Sequence, residues 1–332
     1  MSHAASTDEL VADLRRGDRK AIARALNLVE DRRPSARAAA AALLVALDVA
    51  LDVSLDQEQR GGHLIGVTGP PGVGKSTLVS ALISRWRRAG KTVGVLAVDP
   101  TSPISGGALL GDRIRMQRDD ADDGVFVRSL AGRGEMGGLS AAVYPMSRVL
   151  LAAGFDIVVV ETIGVGQTEV DVVDQTDTTL LVAQPASGDT IQFLKAGILE
   201  LPALVAVNKA DLGQSAQRAA NELKACLPTP EESWAVEVLL CSATSGDGID
   251  ALGEALTKHA RWTHEQEPQA ASRRRQAEAW VIQRLRVEFG RHGLERLGGL
   301  AALKARLGAE GSLFAAHETI RRTLLDTKNT PL

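Results

Sequence analysis

The most constraining feature of this 332-residue chain is a nine-residue run, Gly69-Pro70-Pro71-Gly72-Val73-Gly74-Lys75-Ser76-Thr77, set between two different periodicities. Before it, His63–Thr68 is a short apolar run of strand character. After it, a helical pattern continues through Arg88. Strand, glycine-rich turn and helix in that order form the Walker A arrangement. Its glycines let the backbone curl so that successive N–H groups converge on a phosphate, and the helix start adds partial positive charge. The pattern predicts that Lys75 reaches the β- and γ-phosphates of a nucleotide and that the Ser76 hydroxyl ligates Mg²⁺.

The rest of the chain supports a sheet around that loop. Apolar runs at His63–Thr68, Thr92–Val98, Val125–Ser129, Phe155–Val160, Thr178–Ala183, Ala203–Val207 and Val236–Cys241 alternate with amphipathic segments. Such alternation predicts an α/β fold, a P-loop NTPase with a mainly parallel central sheet flanked by N-terminal and C-terminal helical extensions. One helix joins the first two strands, which predicts that they are parallel and close together. The expected divisions are an N-terminal helical extension at 1–60, a nucleotide domain at 61–261 and a C-terminal helical arm at 262–332. In the first, Thr7 or Asp8 is expected to cap a helix, with Leu10, Leu14, Ile22 and Leu26 at helical spacing. In the last, Thr263–Ser272 reads as a polar linker. Helices are expected at Gln276–Phe289, around Leu297–Leu307 and at Ser312–Leu325, covering the sheet or forming a subunit contact.

Composition narrows the function classes. The formal net charge is -3, so no global basic field argues for nucleic acid. The basic runs Arg85–Lys91 and Arg273–Arg275 read as solvated helix faces. Cys226 and Cys241 show no metal-ligand spacing and fit a reducing cytoplasm. The longest apolar stretch, Ala36–Leu51, is interrupted by Arg37 and Asp48 and is too short to span a bilayer, so a packing helix is expected and no membrane partner. No signal peptide is read at the N-terminus.

Several acids fall at predicted strand ends, the rim where ligands bind in parallel sheets. Asp99, in Asp99-Pro100-Thr101, is placed to bind Mg²⁺ or to position an attacking water. Glu161, in Glu161-Thr162-Ile163-Gly164, matches a Walker B and switch II element with Glu in place of Asp. Gly164 can give its N–H to a γ-phosphate, a contact that exists only while the triphosphate is intact. No Gln follows Gly164 directly, which predicts slow intrinsic hydrolysis accelerated by a partner. The strand Ala203–Val207 ends in Asn208-Lys209-Ala210-Asp211. Asp211 can accept from the ring N–H and exocyclic amine of guanine, whereas adenine presents an acceptor there. That mismatch costs on the order of 1–3 kcal/mol. Lys209 can lie along the base, Asn208 can tie this loop to the glycine-rich turn, and the N–H groups of Ser242, Ala243 and Thr244 can meet the guanine oxygen. The residues therefore predict a GTP- and GDP-binding, Mg²⁺-dependent GTPase, with Lys75, Asp99 and Glu161 as its catalytic set.

Val98-Asp99-Pro100, Gly106 to Arg113, Glu161 to Gln167 and Pro185-Ala186-Ser187-Gly188-Asp189, with Gln192 and Lys195-Ala196-Gly197, resemble the MeaB/ArgK-type GTPases. These are chaperones of adenosylcobalamin-dependent acyl-CoA mutases. The resemblance implies that Asp99, Asp112 and Glu161 join Ser76 around Mg²⁺. It also implies a switch loop carrying Gly188, Asp189, Gln192 and Lys195, and a homodimer through the helical tail. It further implies a role in gating cofactor loading onto the mutase and protecting it, with no cobalamin bound by this chain itself. Thr190 to Lys195 and Leu201-Pro202 depart from the commonest wording in methylmalonyl-CoA mutase partners. The client is therefore left as a methylmalonyl-, isobutyryl- or hydroxyisobutyryl-CoA mutase. A nickel-delivery GTPase is the alternative, for which a Cys- or His-rich site would be expected.

Overall fold

A computed structural model describes residues 6–56, 61–99, 122–131, 141–164, 168–185, 202–227 and 234–326. Contacts divide the chain into two compact units. One is built on Gly62–Ser140 and Phe155–Glu267, the other on Met1–Gly61, Ala141–Gly154 and Pro268–Leu332.

In the first unit, the described strands are β1 (His63–Thr68), β2 (Val93–Asp99), β3 (Val125–Ala131), β4 (Ile157–Glu161), β5 (Thr178–Ala183), β6 (Leu204–Val207) and β7 (Glu237–Leu240). They form one sheet in the order β3-β2-β4-β1-β5-β6-β7, with every pairing parallel. This is the expected α/β architecture. Its strands are Val- and Leu-rich because both faces are covered, and β1, β5 and β6 are buried along their whole length. Alternation then sorts residues between the faces. Leu180 and Val182 pack with Leu78, Leu82 and Trp86 of the helix Lys75–Arg88 and with Leu252 and Leu256 of the helix Ile249–Gln266. Leu181 and Ala183 pack with Ala219, Ala220 and Leu223 of the helix Gln214–Cys226. Each buried Leu contributes about 1.5–3 kcal/mol of apolar transfer.

The expectation that the first two strands lie close together needs one correction. They are parallel, but β4 sits between them, pairing Glu161 with both Val67 and Ala97. That insertion carries the Glu161 carboxylate to the end of the strand beside the glycine-rich turn.

The second unit is helical: α1 (Thr7–Arg15), α2 (Arg19–Glu30), α3 (Pro34–Asp56), Val143–Ala152, Gln269–Arg296, Gly299–Gly308 and Leu313–Asp326. Leu10, Leu14, Ile22 and Leu26 are buried as their spacing predicts. The first cap is Ser6, not Thr7 or Asp8. Ser6 Oγ accepts from Glu9 N at 3.2 Å and Ser6 N donates to the Glu9 carboxylate at 3.0 Å, a reciprocal capping box. The core of this unit gathers Trp280, Val281, Leu285, Leu303, Phe314 and Ile320, with Tyr144 from the segment Val143–Ala152.

The polar linker expected at Thr263–Ser272 is mostly helix. Ile249–Gln266 continues four residues into it, Gln269–Arg296 starts before its end, and the break is Glu267-Pro268. Proline disfavours helix in the residue before it, and Glu267 is extended at φ -145°, ψ 135°. The run Arg273–Arg275 is likewise not a uniformly solvated face, because Arg273 is only 4% exposed. No helix among the described residues is long and apolar enough to cross a membrane.

Candidate nucleotide site

Of the residues singled out by sequence, those of the glycine-rich turn, the end of β4 and the ends of β6 and β7 lie at the carboxyl end of the sheet. β1 ends at Thr68 and the chain turns through Gly69–Gly74 into the helix Lys75–Arg88. Gly74 stands at the helix entrance with φ 91°, and a Cβ there would meet Asn208 Nδ2 at 2.6 Å, so the position requires glycine on two counts. Lys75 is 7% exposed, unusual for lysine. Its ammonium donates to the carbonyls of Gly69 (2.7 Å), Pro70 (2.9 Å) and Ile163 (3.3 Å). The lysine thereby ties the glycine-rich turn to the segment that follows β4.

That segment lies against the turn. A Cβ on Gly164, which has φ 81°, would collide with the Gly69 carbonyl oxygen and come within 2.7 Å of Lys75 Nζ. Thr162 fixes the approach, its N–H donating to Val67 O at 3.0 Å and its hydroxyl to Thr68 Oγ1 at 3.0 Å. Beneath them, Ser76 Oγ donates to Glu161 Oε1 at 2.6 Å, with both residues buried. A hydroxyl oxygen and a carboxylate held together at a helix start are hard oxygen donors of the kind Mg²⁺ takes, so these residues fit the metal. The backbone of Asp99 ends β2 at the same rim, two residues beyond the Ala97–Glu161 pairing. Asp112, and Gly188, Asp189, Gln192 and Lys195 of the expected switch loop, lie outside the described residues.

The base end is assembled by side chains. Asn208, 3% exposed, donates from Nδ2 to Val73 O (2.9 Å) and accepts at Oδ1 from Ala243 N (3.0 Å). One buried amide thus joins the glycine-rich turn, the end of β6 and the end of β7. Lys209 has φ 62°, a left-handed backbone at a lysine, and its ammonium donates to Gly72 O at 3.1 Å. Strain of this kind costs on the order of 1–3 kcal/mol and concentrates at functional sites. Asp211 is exposed and accepts at Oδ1 from Ser242 Oγ (2.7 Å), while Ser242 Oγ also meets Thr244 Oγ1 at 3.1 Å. The carboxylate is held by one oxygen in an orientation a base could read.

The sequence reading missed one contact: Lys209 Nζ donates to Gln184 Oε1. Gln184 follows β5, and its place at a strand end was the signal available. Among the described residues, no group of three or more His, Cys, Asp or Glu is placed to hold a metal ion. Cys241 is buried, and burial pushes its thiol up to about 12.

Comparison with known proteins identifies the family. The family model described as methylmalonyl-CoA mutase-associated GTPase MeaB matches residues 22–292. A putative GTPase of Pyrococcus horikoshii is 42% identical over 82% of this chain and 84% of its own length. The GTPase ArgK of Escherichia coli is 33% identical over 77% and 76%. The mitochondrial methylmalonic aciduria type A homolog of Caenorhabditis briggsae is 33% identical over 76% of this chain and 63% of its own. A crystal structure of a LAO/AO transport system kinase superposes with a TM-score of 0.65 at 26% identity, covering 99% of this chain and 100% of the other. The chain, a P-loop GTPase by fold and by its relatives, belongs to the methylmalonyl-CoA mutase-associated GTPase family.

Proposed function

We propose that this GTPase is a nucleotide-driven chaperone of an adenosylcobalamin-dependent acyl-CoA mutase, gating cofactor loading and protecting the loaded enzyme. The observation that carries the reading is the contact of Gly164 and Ile163 with Gly69 and Lys75, because it places a peptide segment against the phosphate cradle. A segment so placed responds to the presence of a γ-phosphate, and its movement is the signal a partner reads.

In this reading the N–H groups of residues 72–77 and the Lys75 ammonium grip the phosphates. Ser76, Asp99, Asp112 and Glu161 hold Mg²⁺, which neutralises charge on the phosphates. Asn208, Lys209, Asp211 and Ser242–Thr244 select guanine. The loop bearing Gly188, Asp189, Gln192 and Lys195 relays the nucleotide state, and the C-terminal helices pair two copies. The mutase link is supported by the family description and by the name of the C. briggsae relative.

The test is GTP turnover with and without purified, cofactor-loaded mutases of the methylmalonyl-, isobutyryl- and hydroxyisobutyryl-CoA types. One of them is expected to accelerate hydrolysis at least tenfold (about 1.4 kcal/mol of barrier). An unchanged rate with all three rejects the chaperone reading and leaves the GTPase standing.

A further inference from the structure

Two branches of chain leave the sheet side by side. β1 and β4 pair in parallel as far as Val67 with Glu161, and one more bond follows where Thr162 N donates to Val67 O at 3.0 Å. Beyond that point one branch becomes the glycine-rich turn at Gly69, and the other runs through Ile163 to Gly164. Side chains cross-link them. The Lys75 ammonium donates to Gly69 O (2.7 Å) and Pro70 O (2.9 Å) on one branch and to Ile163 O (3.3 Å) on the other. The Thr162 hydroxyl donates to Thr68 Oγ1 at 3.0 Å, with the two residues 1% and 2% exposed.

These links answer differently to a nucleotide. As the phosphate-binding lysine, Lys75 turns its ammonium to the β- and γ-phosphates, charged acceptors that outcompete neutral carbonyls. Its contact with Ile163 is longer than those with Gly69 and Pro70, so the link between the branches yields first. A buried pair of neutral hydroxyls has no such reason to part, because separating them leaves both without a partner. Gly164 needs a tether of that kind. Its φ is 81°, and a Cβ there would collide with Gly69 O, so its peptide lies against the turn with no side chain of its own to hold it.

We propose that Thr68 and Thr162 are positioning residues, a latch that holds the Gly164 peptide beside the cradle once phosphate has drawn the Lys75 ammonium from Ile163. The inference deepens the γ-phosphate response proposed above and rests on it. A triphosphate meets the Gly164 N–H and a diphosphate does not, so the latch favours the triphosphate and places the peptide for hydrolysis.

The test is equilibrium competition of a non-hydrolysable GTP analogue against GDP, with Mg²⁺, on the full-length protein. Thr162→Val removes the donor. Thr68→Val combined with Thr162→Val replaces both partners by apolar groups of the same shape, a change that can be nearly neutral for stability. Both variants are expected to lose about three- to tenfold in analogue affinity relative to GDP, the worth of one neutral hydrogen bond. Thr162→Ser keeps the hydroxyl and is expected to hold the parent's ratio, which a merely structural defect would not predict. Lys75→Ala, run alongside, should weaken both nucleotides. An unchanged ratio in the double variant, or an equal loss for both nucleotides that serine does not restore, overturns the latch. If Lys75→Ala still weakens both nucleotides, the phosphate assignment survives that failure. Parental affinities in Lys75→Ala overturn the phosphate assignment and the latch with it.

Discussion

The proposed phosphate end and the proposed base end of the candidate nucleotide site are built by different means. The phosphate end is written in backbone: a glycine-rich turn, a helix start, a close approach at Gly164, and a lysine bound to three main-chain carbonyls. The base end is written in side chains, with Asn208, Asp211 and Ser242 forming the hydrogen bonds that fix it. A backbone cradle grips any nucleoside polyphosphate, whereas a side-chain frame can be retuned by one substitution. Selectivity and grip should therefore separate by mutation.

The largest effect is expected at the phosphate end. Lys75→Ala should lower GTP turnover by about 100-fold or more, comparable to losing a donor aimed at developing charge. Gly164→Ala forces a Cβ against the Gly69 carbonyl and should cut turnover while leaving GDP selectivity over ADP unchanged, which nucleotide competition would read. Asn208→Ala strikes the joint between the two ends. It leaves a buried carbonyl and N–H without their partner, so thermal unfolding should show a loss of about 1–3 kcal/mol and GDP should bind more weakly. Gln184→Ala removes a partly buried partner of Lys209 and should cost about 0.5–1.5 kcal/mol in GDP binding, the smallest of the site effects. An effect of Gln184→Ala on turnover larger than on binding would show that β5 and the base loop move together.

A pH dependence should arise away from both ends. His259 contacts Thr178 at 2.7 Å beside Trp234 and Trp262, and burial followed by the charge of His63 lowers its pKa to about 4. His317, packed on Trp280, is lowered to about 3, again mainly by burial. Both histidines are neutral in the fold and titrate near 6.5 when unfolded. The unfolded state therefore binds more protons below that value, and stability is complete above about pH 6.5 and falls as pH drops toward 4. Between pH 7 and 5 each should cost about 2 kcal/mol. His317→Phe should flatten the dependence of the thermal midpoint on pH, and an unchanged slope would reject the assignment.

How much was legible in the sequence follows the same division of means. The glycine-rich turn, the strands and the Asn208–Asp211 loop were readable because each is local: its residues are adjacent and its periodicity is its own. Strand order was not readable. The insertion of β4 between β1 and β2 depends on pairing residues about 95 and 65 positions apart, as in Leu64 with Val158 and Val93 with Ile157, which no local pattern records. The Gln184–Lys209 contact is hidden for the same reason. At Thr263–Ser272 polarity misled, because a half-exposed helix tolerates charge on its outer face, and Pro268 alone marked the break. Arg273 shows the converse: a charge run can have one member buried, and spacing does not reveal which.

The central claim, that one carboxylate sets base choice while the cradle holds the phosphates, is tested most directly by exchanging the nucleotide. Equilibrium binding of GDP and xanthosine diphosphate should be measured for the parent protein and for Asp211→Asn. The account predicts that Asp211→Asn loses about 100-fold or more in GDP affinity and prefers xanthosine diphosphate, since two hydrogen bonds to a charged group are worth about 1.5–3 kcal/mol each. Unchanged GDP binding and unchanged preference in the variant would contradict it.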